Sequence, residues 1–340
     1  MTEARKNRDC LNTLRLLSAF QVFYFHTITH LHISMPDAVT KCILFIVGVP
    51  VFFFLSGYLN WFSSSRSVNA GDYYKKRFFR IFPELWVAVI LEIVTIVLLY
   101  RERINWPVLG VFAVTQGTFM QFWTPGFLRG YGCGCPNGAL WTICMIIQYY
   151  IVAYPLQRWL KDKPLKAWIV VLAVSLAIGL LSNRFVAMLP EMAGKLYEQL
   201  VFRYFWLFFL GAFIARYSNE VLPFLKKYFL LLLLLSGIVW LCKFDINTGL
   251  YGVVRSSAFC LGALGLAYAW PWLNIKTDIS YGVYIYHMIV VNAFIQLGLT
   301  GRKLYLLAVL AIVLTLSYIS AKTIGRLSQN WKKRFTKSSL

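Results

Sequence analysis

Ten apolar stretches, spread along the whole chain, constrain what this sequence can fold into. They fall near residues 11–33, 42–61, 82–100, 139–157, 167–182, 199–216, 224–242, 251–270, 279–298 and 303–321. Most are long enough to cross a bilayer with some tilt. The chain is 59% hydrophobic and only 14% charged, which excludes an ordinary soluble globule. The fold expected is all-α, a polytopic bundle of about ten transmembrane helices. The whole of 1–340 reads as a single integral membrane domain, with short basic tails at 1–10 and 323–340 and almost nothing left for a soluble domain.

A net charge of +21 invites a nucleic-acid reading, but its distribution argues against one. With both termini in the cytoplasm, 22 of the 34 basic residues fall inside, among them Arg5, Lys6, Arg8, Arg66, Lys75, Arg158, Lys226 and Arg334. Nine fall outside, Lys41, Arg129 and Lys243 among them, and Arg15, Arg203 and Arg255 lie within spans. This is the positive-inside asymmetry, so the charge reports topology. It also argues against an eleventh crossing at 106–124, which would turn the basic 158–166 loop outward. That segment is read as re-entrant or lying at the outer surface. Pro125 to Gly138 follows as an ordered outer loop.

The basic N-terminus lacks a short apolar core with a small-residue cleavage site, so the first span is expected to be a retained anchor. Seven cysteines give no disulfide framework. Only Cys133 and Cys135 share an outer loop, where a C-x-C disulfide would be strained, and both are expected to be free or structural. No internal repeat, P-loop or dinucleotide fingerprint is visible.

Polar side chains inside the spans carry the functional signal. Arg15 and His26 lie in the first span with ten residues between them. Eleven helical steps return to within about 20° of the starting face, about 16 Å further along, so the two form one polar stripe. A cation in a span is costly and is usually kept for a substrate or ion pathway. The alternative is that Arg15 only reaches up to lipid headgroups. His26 and His30 are one turn apart, but Asp37 is the only carboxylate within reach, and no metal is expected. His30 and His32 read as interfacial groups satisfied by water. His26 is deeper and suits a general base, since small shifts tune an imidazole across neutral pH.

Arg77 and Arg80, spaced i,i+3 at the mouth of the third span, can grip phosphate as a fork. A plain positive-inside anchor is the competing reading. Glu84 and Glu92 lie two turns apart in that span. Glu92 is expected to partner Arg15 or His26, with an ion pair to Arg203 or Arg255 as the alternative. Gln148 and His287 should face the bundle interior.

With these residues in view, the chain resembles the acyltransferase-3 family of integral membrane acyltransferases from about residue 10 to 325. Arg15 to His26 looks like the family's Arg-x10-His motif. GVPVFFFLSGYLNWF (48–62) is similar to its second span, Arg77-x-x-Arg80 with IFP to its third, and LWTICMIIQYYIVAYP (140–155) with DISYGVYIYH (278–287) complete the likeness. The resemblance implies helices around a central cavity and no fused periplasmic domain. It also implies acyl transfer, usually of acetyl from acetyl-CoA as co-substrate, to a hydroxyl of a cell-surface glycan, exopolysaccharide or lipid-linked sugar, with no permanently bound cofactor. His26 then resembles the essential base, Arg15 its motif partner, and Arg77 and Arg80 the ligands of the CoA phosphates. Arg15, Gln148, Tyr281 and Trp141 are candidate oxyanion donors, and Glu92 and His287 substrate or orienting groups. One departure stands out: many relatives have a glutamate where this chain has Ile146. The expected partners are acyl-CoA, a carbohydrate acceptor and membrane lipid, in a multi-pass protein of the cell membrane. A non-catalytic carrier of an acyl group or small solute is the alternative, with Glu92 and the histidines as a proton relay.

Overall fold

A computed structural model describes residues 9–242 and 249–337 of the chain. Arg5, Lys6, Arg8 and Lys243 lie outside them, as do the side chains of Lys333 and Lys337. Among the described residues there are fourteen α-helices and no strand. The first six are α1 (Leu11–His30), α2 (Asp37–Leu44), α3 (Gly48–Ser65), α4 (Ala70–Tyr100), α5 (Trp106–Gln116) and α6 (Trp141–Leu160). Next come α7 (Leu165–Met188), α8 (Glu191–Tyr197), α9 (Phe205–Arg216) and α10 (Ser218–Leu241). The last are α11 (Gly249–Ala269), α12 (Ser280–Gln296), α13 (Lys303–Lys322) and α14 (Ile324–Lys337).

Seven stretches among the described residues are long and apolar enough to cross a membrane. They are Asp37–Ser65, Ala70–Arg103, Gly138–Leu160, Leu165–Met188, Ser218–Leu241, Gly249–Ala269 and Lys303–Lys332. The protein is therefore an all-α polytopic membrane protein. The three other expected spans are helical as well: α1, which carries Arg15 and His26 among its apolar residues, and the shorter α9 and α12, of 12 and 17 residues. The apolar segment after residue 106 folds as the 11-residue α5, shorter than a crossing requires.

Local chemistry sets several boundaries that hydropathy misses. The second span is broken at Val47, because Pro50 supplies no amide hydrogen and fits only the opening turn of α3. The third extends back to Ala70. Asn69 caps it by accepting the Asp72 amide at 2.8 Å, while the Asp72 carboxylate accepts the Val68 amide at 3.3 Å. Arg77 and Arg80 thus ride on a regular helix rather than on a loop. The expected span at 199–216 is helical only from Phe205, for reasons given with Gln148 below.

The chain divides into two compact units. The first comprises Met1–Ser18, Phe45–Tyr73 and Met145–Lys276. Within it α3 and α9 touch backbone to backbone. A Cβ on Gly57 would lie 1.7 Å from the Phe208 carbonyl oxygen, and one on Gly211 would lie 2.0 Å from that of Phe54. Trp168 of α7 stacks on Phe209 of α9. Arg255 is buried on α11, with its guanidinium 4.0 Å from the Trp240 ring and Nη2 donating to the Phe45 carbonyl at 3.4 Å. The second unit comprises Ala19–Leu44, Tyr74–Cys144 and Thr277–Leu340. At its centre α12 is buried on every side from Ser280 to Asn292, unlike α13, which leaves Leu304, Leu307, Ile312 and Ile319 exposed as a lipid-facing helix does. Ile96, Tyr100, Leu109, Phe112, Leu128 and Tyr131 form a second apolar cluster that seats α5 and the following loop on α4.

The α3–α9 contact predicts a steep response. Gly211→Val should destabilise the protein by about 3 kcal/mol or more through overpacking. Gly110→Ala meets open space and should leave the melting temperature of the detergent-purified protein within a few degrees of wild type.

Candidate active site

The second unit brings two of the singled-out side chains into direct contact. His26, near the end of α1, places Nδ1 2.9 Å from Nε2 of His287 on α12, and the rings stack with centroids 5.1 Å apart at 24°. His287 is wholly buried. Its Nδ1 lies 2.7 Å from the carbonyl oxygen of Tyr284 and 3.2 Å from that of Val283, one turn back on its own helix. Phe23 meets the His287 ring edge-on, and the Tyr284 hydroxyl is fixed in turn by Thr142 at 2.7 Å and the Ala139 carbonyl at 3.0 Å.

These contacts decide the tautomers. A carbonyl oxygen can only accept, so Nδ1 of His287 must carry a hydrogen. With both rings neutral, Nε2 of His287 is then bare and accepts from Nδ1–H of His26. That leaves Nε2 of His26 without a hydrogen, as a proton acceptor. The assignment follows from the hydrogen-bond network, and it gives His26 the polarity a general base needs.

The other α12 polar groups hold the helix in register. Asp278 pairs with Arg80 at 3.1 Å and accepts from the amide and hydroxyl of Ser280 at the start of the helix. The Tyr281 hydroxyl donates to the Ile81 carbonyl at 3.1 Å, Tyr286 donates to Ser320 at 2.9 Å, and Ser320 donates to Glu84 at 2.8 Å. Further along, buried Asn292 accepts from the Cys133 amide at 2.8 Å and donates to the carbonyls of Cys135 and Pro136 at 3.0 and 2.7 Å. Gly132 makes this approach possible: its φ is +54°, and a Cβ there would sit 2.1 Å from the Asn292 amide oxygen. Cys133 and Cys135 are free thiols, and burial pushes the Cys135 thiol up from its ordinary range. Among the described residues no group of three or more His, Cys, Asp or Glu is arranged to hold a metal.

Other singled-out residues lie apart from the pair. Glu92 is buried on α4 with no hydrogen-bond partner for either oxygen, so the expected pairing with His26 is replaced by the imidazole of His287. Arg203, the alternative partner, binds Glu198 at 2.8 Å. Gln148 belongs to the first unit, where its amide donates to the Gln199 carbonyl at 2.6 Å and accepts from the Val201 amide at 3.1 Å. Those bonds hold 199–201 as turn, and α9 begins after it. Trp141 opens α6. Arg15 lies in the first-unit part of α1, where Cys10 and Thr13 bond to the Ala267 and Leu273 carbonyls. Asn292 escaped the sequence reading, although an amide inside the apolar run VVNAF was a legible signal.

Removing the Asn292 amide should loosen the loop it holds. In a Cys133→Ser background, Asn292→Ala should raise maleimide labelling of Cys135 at pH 8 about tenfold or more, read by peptide mass spectrometry, since the half-buried thiol would gain solvent.

The chain matches the acyltransferase-3 family, described as an acyltransferase domain, over residues 8–322. It is 27% identical to Nodulation protein 10 of Rhizobium leguminosarum bv. viciae over 331 residues, covering 87% of this chain and 86% of that protein. It is 23% identical over 193 residues to the Peptidoglycan O-acetyltransferase OatA of Listeria monocytogenes serovar 1/2a, spanning 53% of this chain but 28% of that relative. No solved structure matches it.

Proposed function

Because the chain belongs to the acyltransferase-3 family of membrane acyltransferases, we propose that it moves an acetyl group from acetyl-CoA to a hydroxyl of a cell-surface glycan, exopolysaccharide or lipid-linked sugar, with His26 as general base. The hydrogen-bonded pair of His26 and His287 carries this reading, because it leaves Nε2 of His26 as the acceptor. The name of the Listeria relative, a peptidoglycan O-acetyltransferase, supports acetyl as the group and a carbohydrate as the acceptor.

Nε2 of His26 takes the hydroxyl proton while the acceptor oxygen attacks the thioester carbon. The tetrahedral intermediate collapses, the C–S bond breaks, and the departing thiolate receives that proton from His26. The products are an ester and free CoA. Through the cycle Nδ1–H of His26 keeps donating to His287, which fixes the ring and shares the positive charge that develops on it. His287 is thus a positioning residue. Arg77 and Arg80 hold the CoA phosphates, with Asp278 steadying Arg80. Glu92, whose oxygens have no hydrogen-bond partner in the protein, is assigned to an acceptor hydroxyl. Trp141, in the same unit as His26, is the candidate donor to the oxyanion. The positive-inside count supports cytoplasmic termini in the cell membrane, so the donor enters from the cytoplasm.

The purified protein in lipid, given labelled acetyl-CoA and extracted glycan or lipid-linked sugar, should release CoA and label the acceptor fraction. His26→Ala should lower the rate by about 10²- to 10⁴-fold at unchanged abundance. No CoA release with any acceptor fraction would refute acetyl-CoA as donor. His287→Ala should lower kcat by about 10²-fold with little change in KM for acetyl-CoA. His287→Gln, whose amide oxygen can replace Nε2 as acceptor, should recover most of the loss. A purely structural His287 would show no such rescue. Arg77→Ala and Arg80→Ala should instead raise KM for acetyl-CoA.

A further inference from the structure

The last described helix, α14, has no part in the chemistry above, yet it is the most strongly amphipathic of the described helices. Ile324, Leu327, Trp331 and Phe335 recur along one stripe, while Arg326, Asn330 and Arg334 form a row along its flank. The apolar stripe is only partly covered. Phe335 stacks on Phe79 of α4 with ring centroids 5.8 Å apart, Trp331 lies 6.4 Å from the same ring, and Ser328 donates to the Phe79 carbonyl. Leu327, Trp331 and Phe335 nevertheless stay 46, 43 and 52% exposed. Beside them Tyr74, Lys75, Phe78, Phe79 and Phe335 line an open groove of about 340 Å³ whose walls are almost entirely apolar.

We propose that this groove is a binding site for an anionic phospholipid: an acyl chain lies along Phe78, Phe79 and Phe335, and the headgroup phosphate meets Lys75 and the basic face of α14. The charge on the page selects this occupant. Arg326 and Arg334 are exposed on α14 and Lys75 is exposed on α4, all at the end of the unit where α13 leaves its apolar run. A helix with an aromatic stripe and a basic face lies in the plane of a membrane interface, and basic residues there attract anionic headgroups. A neutral lipid would satisfy the groove and leave the cations unmatched. A soluble protein partner would have to cover Trp331 and Phe335 beside the exposed aromatic rings of Tyr74 and Phe78.

The test compares palmitoyl-oleoyl phosphatidylglycerol with palmitoyl-oleoyl phosphatidylcholine, supplied in equal amounts to the full-length delipidated protein in detergent and counted by native mass spectrometry. The protein should retain the anionic lipid at least about tenfold over the neutral one. Arg326→Glu with Arg334→Glu should erase the preference in protein that still elutes as a single species. Trp331→Ala with Phe335→Ala should lower retention of both lipids. Equal retention by the unaltered protein overturns the proposal, and that comparison stands even where a variant fails to fold. A preference that survives charge reversal also overturns it. So does displacement of the anionic lipid by acetyl-CoA, which would make the groove a nucleotide site.

Discussion

Every polar side chain on α12 must find its hydrogen bond inside the protein, because the helix is buried on all sides and an unmatched polar group there costs several kcal/mol. That requirement organises the second unit. Asp278 and Tyr281 tie the start of the helix to Arg80 and Ile81, Tyr286 joins Ser320 and through it Glu84, and Asn292 holds the loop at 133–136. His287 sits between these anchors, and its partner on α1 is His26. The position of the proposed base therefore depends on a helix whose register is fixed at both ends. Such support from neighbouring polar contacts is what keeps a reactive group within its productive geometry.

The tautomer argument follows from the same burial. In water an imidazole exchanges tautomers freely, and either nitrogen can serve as base. Here the Tyr284 carbonyl can only accept, which sets His287, and His287 sets His26. Two hydrogen bonds, one of them within a single helix turn, convert a symmetric titratable group into one with a defined basic nitrogen. The carbonyls of Val283 and Tyr284 lie one turn back on the same helix and both face the ring nitrogen.

Much of this was legible from sequence, and the rest was not for definable reasons. The spans follow from composition, since lipid rewards apolar length directly. His26, Arg77 and Arg80 stood out because charged and titratable groups are rare in or beside such spans. His287 also stood out, but its pairing with His26 did not. Contacts between residues 261 positions apart leave no local trace, and a carboxylate such as Glu92 is the more familiar partner for an imidazole. The break at Val47, the early start of α4 and the short α9 depend on a proline, on a cap and on the Gln148 amide. Hydropathy windows average such single-residue effects away.

A neutral partner for His26 changes the energetics of the proposed reaction. A carboxylate would stabilise the imidazolium more strongly, since charge-assisted hydrogen bonds are about twice as strong as neutral ones. It would also place a net negative charge in the membrane interior while His26 waits neutral. The His26–His287 pair carries no such charge at rest and can share one proton during the reaction. The smaller stabilisation is tolerable for the proposed donor, an activated thioester, on which attack by a hydroxyl needs less help than on an ordinary ester or amide. In the proposed reaction the remaining electrostatic help falls to hydrogen-bond donors aimed at the developing oxyanion.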